Sequence, residues 1–308
     1  FAADLTIMEE ATELIHMLTD GKDHKFPLFT SCCPGWVRFV KARYPEFLPQ
    51  LSSAKSPQQM FGAIAKSYYA EALAVDSKDI YSVSAMPCIA KKEEAAYPSM
   101  NSANGQDQDV DTVLTVRELC RMIKAAHIDV TQIAEEPLDT PLGFGSGAGT
   151  IFGTTGGVME AALRSAYNFI TGENPIVDTF ETIRGEKGWR EATFELPEKK
   201  LNIAIAHGLK NASELLEAIS VGTASYDFVE VMACPGGCVG GGGQPIHEGI
   251  NSVPDRMAVL RTLDKDAQVR FCHENPMIIA CYDNYLGERG SKRAHELLHT
   301  DHTAWSLV

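Results

Sequence analysis

Hydrophobic positions along this chain switch between two periods. Over residues 6–18 and 57–73 apolar side chains return every three or four positions, the spacing of one helix face. Residues 80–85, 201–206 and 228–232 are short apolar runs that read as strands, and a further strand ends at Val113 and Leu114. Helical spacing returns over 158–169 and 212–219, while 21–29 reads as a turn. Two helix starts carry a capping box, in which a Thr hydroxyl and a Glu carboxylate each satisfy a free backbone N–H: Thr6 with Glu9, and Thr115 with Glu118. Strand, helix and strand alternate without repeats. That order predicts an α/β fold, two lobes of largely parallel sheet flanked by helices, with ligands at the carboxyl ends of the strands.

The 308 residues suffice for one large domain or two lobes of ordinary size. A formal net charge of -14 argues against nucleic acid or an anionic membrane as the main partner, since both need clustered Lys and Arg. No apolar run approaches the ~20 residues of a membrane span. Eight cysteines are far too sparse for a disulfide scaffold.

The cysteines sit in unusual company. In EVMACPGGCVGGGGQP at 230–245, Cys234 and Cys238 lie among glycines after a strand; Cys32 and Cys33 fall in TSCCPGW at 30–36, and Cys88 in MPCIAKKEE at 86–94. An iron–sulfur cube needs four thiolates, and Cys33, Cys88, Cys234 and Cys238 supply four from three loops. Glycines let the backbone approach closely, and Pro34 and Pro87 stiffen the adjacent turns. Cys32 is left over, because neighbouring side chains diverge, and a spare thiol beside a metal site is a candidate proton carrier. Tetrahedral zinc is the alternative, but its usual pattern is two short Cys or His pairs, and here there is one. Cys120, Cys272 and Cys281 read as core.

These three loops resemble the signature motifs of the iron-only (FeFe) hydrogenases, and the likeness extends through LSSAKSPQQ at 51–59 and the stretch 147–164. The resemblance implies a catalytic domain, here spanning 1–308, with lobes at 21–145 and 146–308 and the helix at 6–18 leading in. Between the lobes it implies an H-cluster: a 4Fe-4S cube joined to a diiron subcluster carrying CO, CN and azadithiolate. Cys33, Cys88, Cys234 and Cys238 would ligate the cube, Cys238 also bridging to the diiron unit. Cys32 would exchange protons with the azadithiolate, and Lys91 would hold a cyanide by a charge-assisted hydrogen bond. Met86, Met232, Phe152, Pro57 and Gln58 would wall the diiron pocket. The implied proton route runs from Cys32 through Glu13, Ser52 and Glu10 to solvent; Glu10 and Glu13 are one turn apart and share a helix face. Met17 stands where some relatives continue the route with Arg.

The implied activity is reversible reduction of protons to H2, with a redox partner such as ferredoxin or flavodoxin and with maturation proteins, in the cytoplasm or, with the N-terminus out of view, the periplasm. A non-catalytic iron–sulfur relative serving cluster assembly or H2 sensing is the other reading. The family carries about fifty further residues before Phe1, a βαβ-sized unit, so the chain reads as N-terminally incomplete. HELLH at 295–299 fits a zinc-protease pattern, but no third ligand follows at the required spacing. The glycines of 143–157 lack the strand or the Lys-Ser/Thr of a nucleotide-binding loop.

Overall fold

Helix α1 (Ala2–Thr19) runs through the middle of the molecule, and eleven of its eighteen residues are buried. Leu5, Ile7 and Leu14 are completely so, each contributing about 1.5–3 kcal/mol by leaving water. The computed structural model describes residues 1–306 except 198, 247 and 248, and of residue 178 the backbone alone. After α1 come β1 (Leu28–Phe29), α2 (Pro34–Arg43) and α3 (Pro57–Ile64), which continues through one π turn into α4 (Ala70–Leu73). Next are β2 (Val83–Met86), α5 (Ala90–Glu94), β3 (Thr112–Thr115) and α6 (Val116–Ala125). The second half holds α7 (Gly147–Ile151), α8 (Gly157–Thr171), β4 (Trp189–Glu195), β5 (Lys200–His207), α9 (Leu209–Ser220), β6 (Phe228–Met232), α10 (Val253–Asp266), α11 (Pro276–Cys281) and α12 (Lys292–Leu298).

Two sheets result. One has the order β1-β6-β5-β4, with β1 and β5 parallel to β6; the other pairs β2 with β3 in parallel. Every residue of β6 is buried, as expected of a strand covered on both faces. The mixed member is β4, antiparallel to β5 at the sheet edge. Its alternating exposure hides it from a search for apolar runs.

Four expectations are corrected. Thr6 does not cap α1: the helix begins four residues earlier because Asp4, in its first turn, accepts from Ser146 N and Oγ and from Asn275 Nδ2, at 2.7–2.8 Å. The Thr6 hydroxyl is buried against Ala2 O and Lys55 O instead. Residues 28 and 29 are a strand inside the predicted turn, stabilised by parallel pairing with Phe228 and Val229. That pairing also takes β1 out of the segment 21–145 and into the sheet of the second half, so the sheets do not divide the chain at 145. Cys120 is exposed rather than core, since α6 buries none of its residues; Cys272 and Cys281 are buried. The Thr115 capping box forms with both hydrogen bonds in place.

Candidate metal centre and proton line

Parallel pairing decides where the first two cysteine loops meet. Leu28 aligns with Phe228 and Phe29 with Val229, so both chains leave the sheet at the same carboxyl edge. The loops stay in step beyond the strands: the Ala233 N–H points to Cys33 Sγ at 3.4 Å. Cys33 also stands as N-cap of α2, with Pro34 preset for the first helical turn.

The Cys88 loop arrives from the other sheet, between β2 and α5. Gly243 N donates to Pro87 O at 2.8 Å, sewing it to the glycine run. These contacts are backbone against backbone. A Cβ on Gly241 would lie 2.1 Å from Pro87 O, and one on Gly237, whose φ is +91°, would lie 2.8 Å from Thr155 N. No other residue type permits that approach.

The four thiols are thereby gathered. Cys33, Cys88, Cys234 and Cys238 lie within electrostatic reach of one another in every pairing. Burial, helped by the neighbouring thiolates, pushes Cys33 up to about 11 and raises Cys234 and Cys238. A buried set of thiols that repel as thiolates has one good remedy, a cationic metal group among them. Four thiols from three loops, with no histidine among them, match the one thiolate per corner of an iron–sulfur cube.

Cys32 points into a different environment. It is buried with Phe152 and Met232 in one apolar cluster, against which Cys33 and Cys238 also pack. Burial, then the nearby Glu10 carboxylate, lifts its thiol well above the ordinary range. Lys91 is buried below it, donating to Cys32 O at 3.0 Å and to both Glu94 oxygens at 2.9–3.0 Å. Burial pulls the Lys91 ammonium down, but the attraction of Glu94 outweighs it and the group ends above its usual value. Glu94 is held in turn by Ser56 Oγ at 2.8 Å. Gln58 is fully engaged, Nε2 donating to Lys91 O and Oε1 accepting from Ser84 Oγ. Met86, Pro57 and Gln58 line a recess between α3 and β2 that shares Ala2 with the apolar cluster of Phe152 and Met232.

The carboxylates are ordered differently from the implied route. Glu10 is the inner one: it is 1% exposed, and it is the carboxylate that acts on Cys32. Burial, with Glu13 as the next cause, pushes Glu10 up to about 8. Ser31 N–H and Ser52 pull slightly the other way, although neither Glu10 oxygen has a well-aligned partner among the described residues. Ser52 Oγ donates to Glu13 Oε2 at 2.6 Å, and Glu13 lines a cavity open to solvent, together with Met17. The spatial order is Cys32, Glu10, Ser52, Glu13.

Sequence reasoning missed the company of Glu13. Ser53 N and Oγ both donate to Glu13 Oε1 at 3.1 Å, and His299 closes on Ser53 from α12. A helix-spaced His pair was visible at 295 and 299, but nothing in the spacing said that it faces α1.

Two family models match this chain. Residues 1–242 match the C-terminal domain of the iron-only hydrogenase large subunit, and residues 252–305 match the iron hydrogenase small subunit. The chain is 48% identical over 305 residues to the NADP-reducing hydrogenase subunit HndD of Solidesulfovibrio fructosivorans and 45% identical over 307 residues to iron hydrogenase 1 of Clostridium pasteurianum. Each match takes in 97% of this chain and 52% of the relative, so the chain spans about half the length of either. Its fold matches an apo structure of the [FeFe]-hydrogenase HydA1 of Chlamydomonas reinhardtii with a TM-score of 0.84 and 41% identity, over 97% of this chain and 82% of that one.

Proposed function

Since the chain belongs to the iron-only hydrogenase family, we propose that it is the catalytic part of an FeFe hydrogenase, interconverting H2 with two protons and two electrons. The observation that carries this reading is a junction at two adjacent residues. Cys33 lies within electrostatic reach of the other three thiols, and Cys32 within reach of Glu10, Lys91 and Cys238, so a metal site and a proton line share one backbone.

Cys33, Cys88, Cys234 and Cys238 would hold the cube of an H-cluster, Cys238 also carrying the diiron unit. When bound, the H-cluster would pass electrons and supply the iron site at which the H–H bond is made or broken. Everything else is done by the chain. Lys91, kept charged by Glu94, would offer an ammonium to a cyanide ligand. Phe152 and Met232 exclude water beside Cys32, and Met86, Pro57 and Gln58 shape the recess between α3 and β2. Cys32 holds a proton at Sγ and exchanges it with the Glu10 carboxyl; Ser52 Oγ passes it to Glu13 Oε2, where solvent has access.

The elevated position of Glu10 suits this task, because a carboxyl poised near 8 can both accept and release a proton at neutral pH. Electrons would come from a small redox protein such as ferredoxin or flavodoxin, and maturation proteins would deliver the diiron unit. Eight cysteines, all free, support a reducing cytoplasmic setting, and among the described residues no helix is long and apolar enough to cross a membrane.

Infrared spectroscopy of the anaerobically reconstituted protein, after addition of a synthetic diiron precursor, tests the reading. Sharp CO and CN bands with H2 evolution from a reduced dye are expected. A cube seen by EPR without those bands would favour a non-catalytic iron–sulfur relative, and stoichiometric zinc without iron would overturn the assignment of the thiols.

A further inference from the structure

The outer end of the carboxylate line has a second branch. Glu9 and Glu13 are one turn apart on α1, and a bridge joins them across α12. His299 Nδ1 lies 2.8 Å from Ser53 Oγ, and His299 Nε2 lies 2.9 Å from Glu9 Oε2. Ser53 Oγ reaches Glu13 Oε1 at 3.1 Å. Glu9 is itself fixed by the Tyr282 hydroxyl and by Gly290 N at 3.1 Å. The His295 ring stacks on His299, with centroids 4.6 Å apart and planes 3° from parallel. His295, His299, Glu9, Glu13 and Met17 all line one cavity of about 390 Å³. Met17 carries no proton to donate, so the charge-carrying protons at this mouth belong to its histidines, its carboxylates and Lys25.

We infer that His299 is a proton-entry residue, collecting protons from the cavity and passing them through Ser53 to Glu13. The inference rests on the hydrogenase reading above. In the step, with Nε2–H donated to Glu9, a proton from the cavity adds at Nδ1 and makes an imidazolium. That Nδ1 proton then moves to Ser53 Oγ as the hydroxyl proton of Ser53 moves to Glu13 Oε1. One proton enters, one arrives at Glu13, and His299 returns to its starting neutral tautomer with the proton on Nε2. Imidazole suits the task because its unperturbed pKa lies within the working range, and its two nitrogens can face opposite partners.

The charged or titratable groups around His299 are Glu9, Arg289 and Tyr282 on one side, Glu13 and His302 beyond the serines, His295 on its own helix, and His16, His24 and Lys25 lining the same cavity. Glu9 holds the ring in place in either protonation state, so it is a positioning residue for the relay.

Two measurements test the inference. In the protein before reconstitution, 15N NMR of the histidine rings follows the titration of His299 in the wild type and in Glu13→Gln. Coupling through Ser53 predicts a shifted midpoint in Glu13→Gln that becomes smaller when Ser53→Ala is added; an unshifted midpoint overturns the relay. In the reconstituted protein, His299→Gln keeps a hydrogen-bonding amide without a titratable proton. It should lower H2 evolution roughly ten- to a hundredfold, most at high pH, and added imidazole should restore part of the rate through the cavity. A wild-type rate and pH profile, or a loss equal at every pH and untouched by imidazole, overturns the proposal. If the reconstituted wild type makes no H2, the hydrogenase reading fails, and the NMR coupling still decides whether the His299 bridge carries protons.

Discussion

The thiol side and the carboxylate side of this site meet between Cys32 and Cys33, yet they are built by opposite means. On the thiol side, loops leave parallel strands at one edge and touch backbone to backbone, held by glycines such as Gly241 and Gly243 against Pro87. On the carboxylate side the backbone is an ordinary helix. The chemistry there comes from burying Glu10 without a well-aligned partner and from serines of the 51–54 segment folding over α1. Both arrangements depend on contacts far apart in sequence, but in the first the residue types that permit them, glycine and proline beside cysteine, are written locally, whereas in the second nothing local marks what packs on the helix.

Removing the joint between the two sides should have the largest effect. Cys32→Ala should leave the cube assembled, as read by EPR, and lower H2 turnover by about 10²–10⁴-fold, the span of positioned acid–base catalysis. Wild-type turnover would sever the two sides functionally. Next, Glu10→Gln separates stability from activity. The folded carboxyl keeps its proton up to about pH 8 against an ordinary 4.5, so the folded state binds more protons in between and stability falls as pH rises from 4.5 to 8. The amide removes that slope and should stabilise the protein by about 1–3 kcal/mol at pH 7 while slowing turnover. Denaturant melts at pH 5 and pH 8 check it: equal wild-type stability at both would refute the buried carboxyl.

On the thiol side, Gly241→Ala forces a methyl group to within 2.1 Å of Pro87 O. A loss of about 1–3 kcal/mol and of bound iron is expected, whereas the same change at Gly105, whose Cβ would meet nothing within 4 Å but whose φ is +72°, should cost less and keep the iron. The smallest effect tests a purely local device. Thr115→Ala removes the one capping box that forms and should cost about 1 kcal/mol in thermal melts, with H2 evolution unaltered. Thr6→Ala, at the box that does not form, removes a buried hydroxyl with long-range partners, and its cost should exceed that at Thr115.

Legibility follows the same division. The strands at 201–206 and 228–232 and the helices around 158–169 and 212–219 were readable because uniform burial writes a continuous apolar run or a clean helical period. Strand β4 was not, since an edge strand alternates polar and apolar residues and resembles a surface loop. Strand β1 was not, since two residues carry no period and their pairing is with residues 228 and 229. Glu10 and Glu13 were readable as a pair on one face, but their order relative to Cys32 was read backwards. Periodicity places residues on a helix face and says nothing of which end of that face lies deeper.

By itself the sequence determined the chemical inventory: four glycine- and proline-flanked thiols, a spare thiol beside them, an ammonium at Lys91, and a helix with Glu10 and Glu13 on one face. Those follow from residue type and short spacing, which are local properties. The tertiary structure alone decided that Glu10 is the inner carboxylate and that His299 faces Ser53 and Glu9. Burial and distance between segments arise only when α1, the 51–54 segment and α12 are packed together, and desolvation by that packing is what moves Glu10 to about 8.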